Sequence, residues 1–250
     1  MNVFSSANNR YNIFVTVVNI LLYLTVSDSG LCFCSSVWYY LIMKISKYLH
    51  SCLLVEDEGR AILIDPGNYT FKERALDLDK ISKLDYLLVT HEHQDHMYMP
   101  LIKQILEKFP KIKIISNNSV KKILEGEGLK LQTEGENNIA IENAPHEILF
   151  GGRGAENFLF NISGKLTHPG DSLQFSESHY VLALPVQAPW GSFVASVEKA
   201  IALKPKIVIP IHDWHWKDTA RRRMYETAKQ YLAGKGIEFH GLETGEMLEI

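Results

Sequence analysis

Three imidazoles and a carboxylate, His91, His93, Asp95 and His96, fall within six residues directly behind the apolar run Leu87-Leu88-Val89. That order constrains the fold, because the four side chains leave a buried strand together and the chain must then turn. Neutral imidazole is a good ligand for zinc, iron and manganese, and a carboxylate adds the charge that holds a second cation close by. His91 and His93, two apart, point the same way on an extended chain, whereas Asp95 and His96 follow as a helix begins. One pair serves each ion, and two ions need more ligands than these four. A lone histidine in such a loop is ordinarily a surface residue; four ligand-type side chains at this spacing make a metal site the stronger reading.

The pattern His-x-His-x-Asp-His at a strand end resembles the signature of the metallo-β-lactamase superfamily, and later segments resemble that family's remaining ligands. Asn143-Ala144-Pro145-His146 places His146 just past a strand, where the resemblance implies the third ligand of the first site. Gly170-Asp171-Ser172 looks like the bridging motif, with one oxygen of Asp171 on each ion. Ile209-Pro210-Ile211-His212 is similar to the final motif and assigns His212 to the second site beside Asp95 and His96. The resemblance covers residues 43–250 and implies an α/β fold, a four-layer αβ/βα sandwich with its site at one edge of the paired sheets. It also implies two divalent metal ions, zinc first with manganese or iron as alternatives. Such a pair lowers the pKa of a bridging water toward 7 and yields a hydroxide nucleophile, with Asp95 part of the catalytic group.

Further residues take their expected places around this set. Asp65 ends the run Ile62-Leu63-Ile64 ahead of Pro66-Gly67; the resemblance implies that it lies beneath the site, hydrogen-bonded to ligand histidines, and the competing reading is an Asp that opens a Pro-Gly turn. His50, in a His-Ser pair between two strands, resembles a feature of the branch that includes L-ascorbate-6-phosphate lactonase. His50 and His168 are the catalytic candidates for protonating the leaving group, with ordinary turn positions as the competing reading for both. Trp190 and Gln187 are candidate wall residues, and His215 is read as a proton relay or an exposed side chain.

From Met43 onward, strands are expected at 45–49, 51–56 and 61–65, with Asp57-Glu58-Gly59-Arg60 as a hairpin turn. An α/β pattern follows: helix 97–108, strand 111–116, helix 120–127 capped by Ser119, and strand 138–143. A glycine-rich turn at 151–154 precedes a hairpin of 158–162 and 165–167 around Ser163-Gly164. Strand 180–184, a helix from the Ser192 cap to 203, strand 206–210, helix 219–232 and strands near Ile237 and Met247 complete the domain.

Residues 1–42 read differently. Their apolar runs, 13–26 and 31–43, are each shorter than the ~20 residues that span a bilayer and are interrupted by Ser27-Asp28-Ser29-Gly30. Three readings stand: an upstream mis-start with the functional protein beginning at Met43, a signal peptide, or an anchor. The three cysteines are too few for a disulfide framework, which favours a reducing, cytoplasmic setting; a functional extension would make the protein membrane-anchored or exported.

A net charge of −3, with no basic cluster beyond Arg221-Arg222-Arg223, excludes a nucleic-acid footprint. The expected partner is therefore a small-molecule substrate, an oligomer remaining possible, and the expected reaction is hydrolysis of a lactone, ester or phosphodiester of a small polar metabolite. Two alternatives come from other classes. One is a di-iron redox enzyme, which needs a flavin domain and carboxylate-richer ligation absent from this chain; the other is a non-catalytic metal-binding protein.

Overall fold

The computed structural model of the protein describes residues 42–148, 152 and 154–250, and before them the backbone of five short strands. The chain divides into two compact units, Met1–Ile42 and Met43–Ile250. In the first unit, β1 (Val3–Ser6), β2 (Arg10–Val17), β3 (Ile20–Ser27) and β4 (Gly30–Cys32) form an antiparallel meander, and β5 (Trp38–Tyr39) also pairs with β3. The β-branched residues that make this stretch apolar, such as Ile13, Val15, Thr16 and Val17, suit a pleated strand better than a helix. Among the described residues no helix is long and apolar enough to cross a membrane. The rest of the two apolar runs, and residues 151 and 153 of the glycine-rich turn, lie outside the described residues.

The second unit runs β6 (Lys44–Lys47), β7 (Leu53–Asp57), β8 (Arg60–Ile64), α1 (Asn68–Lys72), β9 (Tyr86–Leu88), α2 (Met99–Lys108), β10 (Lys113–Ile115) and α3 (Asn118–Gly126). It continues with β11 (Ile139–Asn143), β12 (Phe158–Ile162), β13 (Leu166–His168), β14 (Val181–Pro185), α4 (Phe193–Leu203), β15 (Ile207–Ile211), α5 (Asp218–Ala233), β16 (Glu238–Phe239) and β17 (Met247–Glu249). One sheet has the order β10-β9-β8-β7-β6-β17 and the other β11-β12-β13-β14-β15-β16.

Strand alternation with period two explains how the sheets stack. Ile45, Leu53, Val55, Ile62, Ile64 and Leu88 face Phe160, Ile162, Val181, Ala183, Ile209 and Ile211 of the second sheet. The residues between them, Leu54, Leu63 and Leu87, face Leu101, Ile102 and Ile105 of α2 and Val120 and Leu124 of α3. On the far side, Leu159, Leu182, Leu184 and Val208 meet Val197 and Ala200 of α4 and Tyr225 and Leu232 of α5. The result is the four-layer αβ/βα sandwich, in which each fully buried Leu or Ile contributes ~1.5–3 kcal/mol.

Local chemistry sets the connections. Glu58 and Gly59 (φ 51° and 72°) and Ser163 and Gly164 (φ 52° and 62°) make left-handed two-residue hairpin turns at the expected places. Most strand bounds shift by a residue or two, as at β6 and β7, helix α1 adds an element not expected from the sequence, and two helix starts differ for a visible reason. Helix α2 starts at Met99 rather than 97, because His96 and Met97 turn back to donate their amides to His93 O and Pro100 then occupies the first turn. Helix α3 is capped by Asn117, not Ser119: Asn117 Oδ1 accepts from Val120 N at 3.0 Å, while Ser119 Oγ donates to Glu92 Oε2 at 2.6 Å and lies 2.8 Å from Asn117 Oδ1. The sequence-derived site residues then follow strand ends: Asp65 after β8, His91 to His96 after β9, His146 after β11, Asp171 after β13 and His212 after β15.

Candidate metal centre

Asp65 is the anchor of the motif loop. It is fully buried, with a left-handed backbone (φ 50°), and its Oδ1 accepts from Thr90 N at 2.7 Å. Its Oδ2 accepts from Thr90 Oγ1 at 2.8 Å and from His96 Nδ1 at 2.7 Å. The loop is pressed against Gly67, where a Cβ would lie 1.8 Å from Asp95 O, and Asn68 N donates to Gln94 O at 2.8 Å. Asn157, for which the sequence offers no signal, joins the other segments: Nδ2 donates to Ala144 O (2.7 Å) and Pro169 O (2.9 Å), and Oδ1 accepts from Asp171 N at 3.3 Å. Gly170 (φ 57°) fits there because a Cβ would fall 2.3 Å from Asn157 Oδ1.

All seven residues assigned to the two sites come together. The ligand atoms of His91, His93, His146 and Asp171 lie within 4.8 Å of one another, as do those of Asp95, His96, His212 and, beside them, His50. Asp171 stands between the groups, with Oδ1 3.0 Å from His96 Nε2 and Oδ2 3.1 Å from His212 Nε2 and 3.4 Å from His146 Nε2.

The donor set fits a bound cation. His96 Nδ1 donates to Asp65, His146 Nδ1 to Glu147 O and His212 Nδ1 to Gln187 O, the last two at 2.5 Å. Each ring therefore turns its Nε2 inward, the arrangement in which metal-binding imidazoles are held. Those three Nε2 atoms and Asp171 Oδ1 are buried without a partner in hydrogen-bonding geometry, despite their short separations. Buried polar atoms left in this state are costly unless something else satisfies them.

The charges agree. Burial opposes ionisation of Asp171 and Asp95, yet the surrounding histidines hold both carboxyls below the usual carboxylate range. Burial also opposes the charged form of His96, but Asp171, Asp65 and Asp95 outweigh it and raise its pKa well above the ordinary value. His212, against the same burial, is raised to about 9, chiefly by Asp171. His91 is lowered by burial and then by His96. In the metal-free protein, protons on His96 and His212 thus supply positive charge that cations supply on binding.

The remaining expected residues divide. His50 is buried, with Nε2 3.2 Å from Asp95 Oδ2 and its ring 4.0 Å from that of His212. Burial, then His212, lowers its pKa to about 3, so the ring is neutral. His168, expected beside the leaving group, is fully buried and not among the clustered ligand atoms: its Nε2 lies 3.0 Å from Ser51 O and its Nδ1 3.4 Å from Gly170 N. Its strand ends with the ring between the backbone of Ser51 and that of Gly170. Trp190 Nε1 donates to Asp171 Oδ2 at 3.2 Å, and Gln187 contributes its carbonyl to His212. His215 is exposed, with Nε2 3.1 Å from Tyr69 Oη; the Tyr69 ring stacks on Trp214 at 3.9 Å. Exposed His93 and half-buried Asp95 mark the open side of the centre.

Residues 44–212 match the family described as the β-lactamase superfamily domain. A UPF0173 protein of Pyrococcus furiosus is 30% identical over 224 residues, which cover 78% of this chain and 100% of that protein. A UPF0173 metal-dependent hydrolase of Carboxydothermus hydrogenoformans is 31% identical over 199 residues, 70% of this chain and 86% of the relative. Among solved structures, Igni18, a metallo hydrolase from Ignicoccus hospitalis, is similar in fold, with a TM-score of 0.62 at 21% identity over 84% of this chain and 98% of its own.

Proposed function

Since the chain belongs to the β-lactamase superfamily and has the metallo-β-lactamase fold, we propose that it is a metal-dependent hydrolase that opens a lactone, ester or phosphodiester in a small polar metabolite. The observation that carries this reading is the convergence of the ligand atoms into two four-residue groups, each within 4.8 Å, with Asp171 standing between them. His91, His93 and His146 would hold one divalent ion, Asp95, His96 and His212 a second, and Asp171 would contribute an oxygen to each. Zinc suits this nitrogen and oxygen set, and manganese or iron are the alternatives. Such cations, when bound, acidify water and polarise the oxygen of the bond under attack.

The protein's own groups do the rest. Asp65 fixes the His96 tautomer, and Trp190 fixes the orientation of Asp171. Tyr69, Trp214 and Trp190 wall the approach, so that the substrate enters over His93 and Asp95. On that side His215 Nε2, 3.1 Å from Tyr69 Oη, is an exposed imidazole that would relay a proton to the leaving group, while His50 and His168 are buried; burial lowers the pKa of all three rings. The lactonase-like character suggested by His50-Ser51 narrows the first substrates to lactones and phosphorylated metabolites.

The test is metal content per chain of the full-length protein purified without chelators, followed by a lactone and phosphodiester screen. About two zinc or manganese ions per chain, with turnover lost in Asp95→Ala, is the expected result. Two irons with a visible chromophore and no hydrolysis would replace this reading with the redox one, and failure to take up metal on reconstitution would overturn it.

A further inference from the structure

One imidazole against the centre is not used by the ligand set above. We propose that His50 is an inner-sphere ligand of the second cation, so that His50, Asp95, His96 and His212 form a four-group site. This rests on the two-cation reading and extends it by one ligand from the turn between β6 and β7.

Placement gives the first argument. His50 is 1% exposed, and its ligand atom lies with those of Asp95, His96 and His212 inside one 4.8 Å set. Ligands about 2.0–2.2 Å from a common zinc ion are separated by at most about 4.4 Å, so small adjustments bring all four onto one ion. His50 Nε2 reaches Asp95 Oδ2 at 3.2 Å, while Nδ1 is buried with no hydrogen-bond partner.

Backbone geometry gives the second. Leu49 and His50 both adopt left-handed conformations (φ 68° and 51°), at positions where glycine or asparagine is ordinarily found. Each such residue costs about 1–2 kcal/mol. The turn is nevertheless locked: Tyr48 N donates to Cys52 O at 2.8 Å and Cys52 N to Leu49 O at 2.9 Å. His168 Nε2 lies 3.0 Å from Ser51 O, and His212 N donates to His50 O at 3.2 Å. The last bond couples His50 to the backbone of another ligand. Strain kept in place from four sides, and delivering a neutral ring into the cluster, is what a ligand position requires.

Cobalt(II) distinguishes a ligand from a hydrogen-bonding neighbour. In the full-length protein loaded with Co2+, each ligating imidazole gives a strongly shifted, solvent-exchangeable ring N–H proton signal. His50→Gln is expected to bind its first Co2+ as the wild type does and its second at least about tenfold more weakly. At saturating Co2+ it should have one shifted imidazole N–H fewer than the wild type. His50→Asn gives the same comparison if the glutamine variant does not fold. An unchanged set of shifted imidazole signals with both cations bound would overturn the proposal and leave the two-cation reading intact. A wild-type chain that binds fewer than two Co2+ would instead overturn the reading beneath it.

Discussion

Gly67→Ala isolates the packing that holds the motif loop. Gly67 has an ordinary backbone (φ −86°), so the substitution introduces no conformational strain, only a methyl group. That methyl would sit 1.8 Å from Asp95 O and 2.2 Å from Asp95 C, backbone atoms that cannot swing aside. To reach 3.0 Å, the least that real Cβ atoms tolerate, the Asp95 peptide must retreat by about 1.2 Å. The hydrogen bond from Asn68 N to Gln94 O opposes that movement, and Asp65 holds Thr90 and His96 on the other side of the loop. A misplacement of ~1 Å costs about a hundredfold where geometry is critical, so affinity for the second cation and turnover should each fall by roughly that factor. Overpacking should also cost ~1–3 kcal/mol of stability. Chelator-competition titration, turnover and urea unfolding of the full chain measure the three effects. Gly126→Ala, at a helix end with nothing within 4 Å of the added methyl, is the control and should be neutral or slightly stabilising. A Gly67→Ala protein with wild-type metal affinity would refute the view that the Gly67 contact positions Asp95.

Three further outcomes are expected. In the metal-free protein, His212 is raised from 6.5 to about 9, so its contribution is fully present below pH 6.5 and lost as pH rises through 9. Urea unfolding with chelator present should therefore show lower stability at pH 9.5 than at 6.5, by ~3 kcal/mol at most from this group, while cation affinity rises over the same interval. Lys47→Met should destabilise the fold by ~3–5 kcal/mol, because Asp213, 2.5 Å from Lys47 Nζ and equally buried, loses its cation; thermal and urea unfolding report it, and a change below ~1 kcal/mol would contradict the pairing. Burial raises the Cys52 thiol well above its ordinary range, so in a Cys32→Ser, Cys34→Ser chain iodoacetamide should label Cys52 only after unfolding, as mass spectrometry would show.

The resemblance carried by His91, His93, Asp95 and His96 made the sandwich legible, and strand alternation is its physical reason: Ile62 and Ile64 face one layer and Leu63 the other. Helix boundaries were less legible. Ser119 and Asn117 are both good caps, and the choice between them depended on Glu92, which drew the Ser119 hydroxyl away. The same division runs through the site. His91, His93, Asp95 and His96 declare their chemistry within one turn of chain, whereas Asp65, at the end of a buried strand, takes its role from the family resemblance.

What the sequence determined by itself is which atoms are available: a compact run of imidazoles and carboxylates behind an apolar strand, with matching segments placed after later strands. Only the tertiary structure decided which way those atoms point. His50 and His168 are alike in sequence, each a histidine near a strand end, yet the left-handed turn at Leu49 and His50 carries one ring into the cluster while the other lies against Ser51 O. Gly67 and Asn157 acquire their roles only when Asp95, Ala144 and Pro169 are folded against them. Ligand chemistry belongs to the residue and survives in the sequence; direction and burial belong to contacts between distant segments, which no local pattern encodes.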